Sequence, residues 1–117
     1  MSLVLDNQNI RIIGEDGVEL VGLTNLKNLS LANNKIDSIR DGAFRDTVNL
    51  RYLDISSNSL STIPPAAFQN LHALELLDLD GNSLDEVPIA VPANTTTLSI
   101  NCNRIKNLTM NSLHHLP

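Results

Sequence analysis

Apolar and polar positions recur in a fixed block along the chain. From Leu26 the sequence reads LKNLSLANNKIDSI, from Leu50 LRYLDISSNSLSTI, from Leu74 LELLDLDGNSLDEV and from Thr95 TTTLSINCNRIKNL. All four fit L-x-x-L-x-L-x-x-N-x-L-x-x-L, with Ile or Val at some apolar sites and Thr95 as the one non-aliphatic opening residue. A partial copy precedes them, with Leu3, Leu5, Gln8, Ile10 and Ile13 in the corresponding slots. The marker residues Asn34, Asn58, Asn82 and Asn103 are separated by 24, 24 and 21 positions, and Gln8 lies 26 before the first. Self-similarity at such a period is the signature of a solenoid.

The block predicts its own local structure. Within L-x-L the apolar residues have period 2, so both point to one side of a short strand and the residue between them points to the other. One coil cannot bury its apolar face alone, but stacked coils share a continuous core beneath a parallel sheet. Asn suits the end of the strand, where its short amide can bond the backbone of a tight bend; stacked repeats would line these amides into a ladder of Asn34, Asn58, Asn82 and Asn103. Gln8 in the first turn predicts a looser or capping repeat. On the far side Leu20, Phe44, Phe68 and Leu113 share one slot, and Leu23, Leu71 and Leu116 sit three places on, with Thr47 as the exception. Pro64, Pro65, Pro88 and Pro92 fix φ and remove N–H donors, which disfavours long helices there.

Composition agrees with this picture and narrows the function. The 117 residues are 42% apolar yet include only three aromatics, Phe44, Tyr52 and Phe68, against 20 Leu, 10 Ile and 15 Asn. The core is therefore aliphatic. Charged residues at 18% and a net charge of −5 do not describe a disordered polyelectrolyte. Eight Lys and Arg are scattered without a cluster, so the basic footprint of a nucleic-acid binder is missing and no nucleic-acid partner is expected. No apolar run is long enough for a membrane helix, so no membrane contact is expected of this segment. The opening residues Met1-Ser2-Leu3-Val4-Leu5-Asp6 lack the basic and apolar regions of a signal peptide. The chain is then either cytosolic or a piece of a longer secreted protein.

The repeated block resembles the leucine-rich repeat family over essentially the whole chain. The 24-residue period with Phe in GAFRDTVNL and AAFQNLHAL is similar to the extracellular class of animal repeat proteins. The 21-residue step through Val87-Pro88-Ile89-Ala90-Val91-Pro92 resembles the shorter repeats of Toll-like receptors, Slit-like proteins and small leucine-rich proteoglycans. The resemblance implies an α/β solenoid: a right-handed, curved horseshoe with a parallel concave sheet and a mostly irregular convex side. It divides a single domain, 1–117, into a partial first repeat at 1–25, repeats at 26–49 and 50–73, a short repeat at 74–94 and a last repeat at 95–117. Neither terminal cap is present, so an uncapped fragment of a longer array is expected, with self-association through its exposed ends.

On such a sheet the residues between and just after the strand leucines are free to vary. Read turn by turn, one column holds Ser2, Asn28, Tyr52, Leu76 and Thr97, the next Val4, Ser30, Asp54, Asp78 and Ser99, and the third Asp6, Ala32, Ser56, Asp80 and Asn101. With turns about 4.8 Å apart, Asp54 and Asp78 become adjacent like charges. The candidate ligand-binding face is therefore Tyr52, Asp54, Leu76, Asp78, Asp80 and Asn101, an acidic patch with aromatic and aliphatic anchors suited to a basic protein surface. Its competing explanation is that Asp is a common filler of this repeat.

Little else carries chemistry. No nucleophile motif, phosphate-cradling loop or Cys/His ligand spacing occurs, so no enzyme, no cofactor and no metal are expected, and His72 and the His114-His115 pair read as occupants of variable slots. Cys102, next to Asn103, reads as a small residue in a variable slot. Three N-x-S/T sequons begin at Asn28, Asn94 and Asn107, whereas this composition would yield roughly two by chance, so they give no support to secretion. In a secreted parent Asn94 and Asn107 lie off the concave sheet and could carry glycans, while one on Asn28 would obstruct it. The expectation is a non-enzymatic recognition module that binds a protein ligand or co-receptor, at the cell surface or outside the cell, as part of a receptor or secreted immune-type protein. A matrix protein like the small proteoglycans and an intracellular scaffold remain the alternatives.

Overall fold

The computed structural model describes residues 1–88 and 91–105. Seven short strands follow one another: β1 (Ser2–Val4), β2 (Ile12–Ile13), β3 (Asn28–Ser30), β4 (Ser38–Ile39), β5 (Tyr52–Asp54), β6 (Leu76–Asp78) and β7 (Thr97–Ser99). One parallel sheet has the order β1-β3-β5-β6-β7, so each coil of chain adds one strand beside the last. Its register aligns Leu3, Leu29, Leu53, Leu77 and Leu98 across the sheet. Pairing continues past the strands, where the Leu31, Ile55 and Leu79 N–H groups donate to the backbone carbonyls of Asp54, Asp78 and Ser99 of the next coil at 2.8, 2.9 and 2.8 Å. The period-2 prediction holds because Leu29, Leu53 and Leu77, with Leu31, Ile55 and Leu79 two places on, are all buried beneath the sheet.

The remaining apolar sites of the block close the core. Leu26, Leu50 and Leu74 are wholly buried, and Thr95 takes the same slot because its hydroxyl donates to the Leu74 carbonyl at 3.3 Å. On the far side Phe44 and Phe68 are buried with ring centroids 5.7 Å apart and planes tilted by 42°. Buried Thr47 is tolerated by the same device, a hydroxyl donating to the Phe44 carbonyl. No helix forms among the described residues, and this side is built of turns and bends. The slots of Leu113 and Leu116 lie outside the described residues, as do Ile89 and Ala90 of the short step.

A second, two-stranded parallel sheet, β2 with β4, pairs Ile12 with Ser38 and Ile13 with Ile39. The sequence reading did not anticipate it, since two residues leave no periodicity. After β2 the chain makes a tight loop in which Gly17 N–H donates to the Gly14 carbonyl and Val18 N–H to the Ile12 carbonyl. A Cβ on Gly17 would sit 2.1 Å from that Ile12 oxygen, so only glycine fits.

The marker asparagines form the ladder. The side-chain amides of Asn58 and Asn82 each donate to two carbonyls of their own bend and to one strand-end carbonyl of the coil before, Leu31 and Ile55 respectively. Their Oδ1 atoms accept Ile36 and Leu60 N–H from that earlier coil at 3.0 and 3.1 Å. Asn34 and Asn103 repeat the pattern on Ile10 and Leu84. Gln8 does not: it is exposed, and its longer amide reaches only the Asp6 carbonyl. The residue before each marker, Asn7, Asn33, Ser57, Gly81 and Cys102, is left-handed in every coil, with φ from 55° to 69°. Asn, Asn, Ser, Gly and Cys there reflect one backbone demand, because Gly and Asn bear that region best.

A candidate recognition face on the parallel sheet

The outer face of the main sheet carries the columns read from the sequence. Tyr52 pairs with Leu76, and Leu76 with Thr97, in the first column; Asp54 pairs with Asp78, and Asp78 with Ser99, in the second. Tyr52 is 44% exposed and Asn101 is exposed, whereas Asp54, Leu76, Asp78 and Asp80 are half-buried. The six candidate residues therefore do share one surface. Beside it Arg51 Nε donates to Glu75 at 2.7 Å, and the same guanidinium lies 5.9 Å from the Tyr52 ring centroid. Both partners of that ion pair are well solvated, so it orients the aromatic more than it stabilises the fold.

The carboxylates have backbone duties that the sequence reading missed. Asp54 Oδ1 accepts the Ser56 N–H at 2.8 Å, and Asp78 Oδ1 accepts the Asp80 N–H at 3.0 Å, each two residues ahead in its own coil. Where the second column holds Ser instead, the acid comes from the coil before. Asp6 Oδ1 accepts the Ser30 hydroxyl and the Ala32 N–H at 2.6 and 3.0 Å, and Asp80 Oδ1 accepts the Ser99 hydroxyl and the Asn101 N–H, both at 2.7 Å. The third-column N–H is thus met by a carboxylate in each of these four coils. A signal was present in the columns: Asp54 and Asp78 stand in the second column and serve their own coil, whereas Asp6 and Asp80 stand in the third and serve the next.

These duties occupy Oδ1 and leave Oδ2 of Asp54, Asp78 and Asp80 without a hydrogen bond among the described residues. Burial pushes the Asp78 carboxyl above the usual carboxylate range, and the facing Asp54 and Asp80 charges add to the rise while the Asp80 N–H opposes it. The face therefore carries crowded negative charge beside an exposed aromatic ring.

Other candidate residues fall elsewhere. Asn28 lies in β3, half-buried, with its amide donating to Ser2 Oγ, so a glycan there would stand on the sheet. Asn94 is exposed at the corner before β7, where its amide donates to the His72 carbonyl at 2.6 Å; Asn49 makes the same bond to Thr24 three coils into the chain. Asn107, His114 and His115 lie outside the described residues. Cys102 is exposed. Among the described residues no group of three or more His, Cys, Asp or Glu is placed to hold a metal ion, and no helix is long and apolar enough to cross a membrane. The cleft formed by Ser61, Ile63, Pro64, Phe68 and Leu84, away from the sheet face, measures only about 60 Å³.

Comparison with known proteins matches this geometry. The leucine rich repeat family model matches residues 24–84, which hold three strands of the main sheet and the first three marker asparagines. No curated protein sequence matches the chain. Among solved structures, an internalin from Listeria monocytogenes is similar, with a TM-score of 0.61 and 27% identity over 81% of this chain. The chain spans only 28% of that structure. The strand register, the stacked aliphatic core, the asparagine ladder and the family match agree, and the chain belongs to the leucine-rich repeat family.

Proposed function

We propose that this chain is the ligand-recognition segment of a cell-surface or secreted leucine-rich repeat protein, and that its sheet face binds a basic protein ligand or co-receptor. As a repeat of this family it is a protein-interaction module. The observation that carries the choice of face and ligand is the register that sets Tyr52 beside Leu76 and Asp54 beside Asp78 on one open surface. An exposed aromatic anchors by burying area at small entropic cost, and the unengaged Oδ2 atoms around it offer a second Lys or Arg its counter-charge. The neighbouring strands hold Asn28, Ser30, Thr97 and Ser99, which supply hydrogen bonds but no like charge.

Binding of purified extracellular proteins of graded isoelectric point tests this reading. Basic proteins should bind with an affinity that falls as salt rises, and the D54N/D78N pair and Tyr52→Ala should each weaken binding roughly tenfold or more. Substitutions at Asp41 and Asp46, on the opposite side of the coils, should leave it unchanged. Binding indifferent to the three sheet-face substitutions would overturn the proposal.

A further inference from the structure

The chain contains three Asp–Gly pairs, Asp16–Gly17, Asp41–Gly42 and Asp80–Gly81. Among aspartyl pairs, aspartate followed by glycine is the most open to succinimide formation, because no Cβ shields the attacking amide nitrogen. The fold treats the three differently. At Asp80–Gly81 the Gly81 N–H donates to the Asn101 carbonyl at 2.9 Å while the Asp80 carboxylate holds Ser99 and Asn101. At Asp16–Gly17 the Gly17 N–H donates to the Gly14 carbonyl at 3.0 Å in a loop that admits no shift toward Ile12. At Asp41–Gly42 both residues are exposed, Gly42 is left-handed with φ 73°, and among the described residues its N–H donates to no acceptor.

We propose that Asp41–Gly42 isomerises to isoaspartate in the folded protein, where the other two pairs are protected, and that this turn is the chain's substrate site for isoaspartyl carboxyl methylation. The Gly42 nitrogen attacks Cγ of the protonated Asp41 carboxyl. The new N–C bond closes a five-membered succinimide, and the amide proton leaves with the carboxyl hydroxyl as water. Water then reopens the ring. Cleavage at the main-chain carbonyl gives isoaspartate, whose peptide link runs through Cγ, and cleavage at the other carbonyl returns aspartate. The water lost is regained, and nothing is oxidised or reduced. Isoaspartate lengthens the main chain by one methylene inside the turn closed by the Ala43 N–H to Arg40 carbonyl bond of 3.1 Å, directly before buried Phe44.

Trypsin separates the three pairs into the segments 12–27, 41–45 and 52–104. The native protein is held at neutral pH and physiological temperature, then labelled with an isoaspartyl methyltransferase and a radioactive methyl donor. Label in 41–45, or in 36–45 where Arg40 resists cleavage, should accumulate roughly tenfold or more faster than in the other segments, because those must first open locally. In denaturant the three rates should converge, and Asp41→Glu should abolish the dominant label without loss of the folded-state spectrum. Similar native rates at all three pairs, faster label at Asp16 or Asp80, or no label at Asp41 would each overturn the proposal.

Discussion

Asp80 Oδ1 accepts the Asn101 backbone N–H at 2.7 Å across the gap between two coils, on the same oxygen that accepts the Ser99 hydroxyl. A surface acid thus works as a clamp between the fourth and fifth coils, and Asp6 does the same between the first and second. Removing the acid leaves the Asn101 N–H to water alone. Asp80→Ala should lower stability by about 0.5–1.5 kcal/mol, while Asp80→Asn, which keeps an acceptor oxygen, should recover most of the loss. Amide hydrogen exchange at Asn101 distinguishes the two, since it should quicken in the first variant only.

The ladder makes a sharper prediction. In Asn58→Leu the Leu31 and Ile55 carbonyls are still served by Asn34 and Asn82, so the buried Ile36 N–H is the main orphan. Chemical denaturation should show a loss of about 1–3 kcal/mol. Adding Asn34→Leu strips the Leu31 carbonyl of both donors, so the double variant should lose about 1 kcal/mol more than the sum of the singles. Strict additivity would mean that the shared carbonyl does not couple the rungs.

Charge crowding on the sheet gives a pH signature. Burial, then the Asp54 and Asp80 charges, raise the folded-state pKa of Asp78 above its unfolded value, so the folded state takes up this proton more readily. Ionised Asp78 therefore weakens the fold at neutral pH, and the penalty is relieved as pH falls through the raised value. Asp78→Asn should raise stability at neutral pH by roughly 0.2–1 kcal/mol, the scale of a like-charge pair directly opposite on two strands. That advantage should shrink as pH falls into the carboxylate range. An advantage that does not change with pH would locate its origin elsewhere.

The left-handed column is open to direct test at Gly81, where an added Cβ meets only ordinary contacts, the nearest being Ser57 Oγ at 3.4 Å. The cost of Gly81→Ala is then one of backbone conformation, about 1 kcal/mol, and Gly81→Asn should cost less, as Asn33 occupies the same slot. Midpoints of thermal unfolding for the two variants give the comparison.

The sequence by itself determined the coil. Aliphatic residues at period 2, an amide at the bend and a repeat of 24 residues are local demands, each satisfied by a residue's own shape and hydrogen-bonding capacity, so they recur visibly at Leu29, Leu53 and Leu77 and at Asn34, Asn58 and Asn82. The columns of the sheet face were legible for the same reason, since in-register stacking follows once the period is known. What only the tertiary structure decided were the relations between coils. Asp6 and Asp80 serve a neighbour's N–H while Asp54 and Asp78 serve their own coil, a difference that follows the column in which each acid stands, the third for the first two and the second for the others. The short pairing of β2 with β4 and the burial of Thr95, whose hydroxyl reaches the Leu74 carbonyl of the coil before, likewise depend on contacts between segments some distance apart in the chain. A repeating pattern encodes each coil's own hydrogen-bond needs, and stacking decides which neighbour meets them.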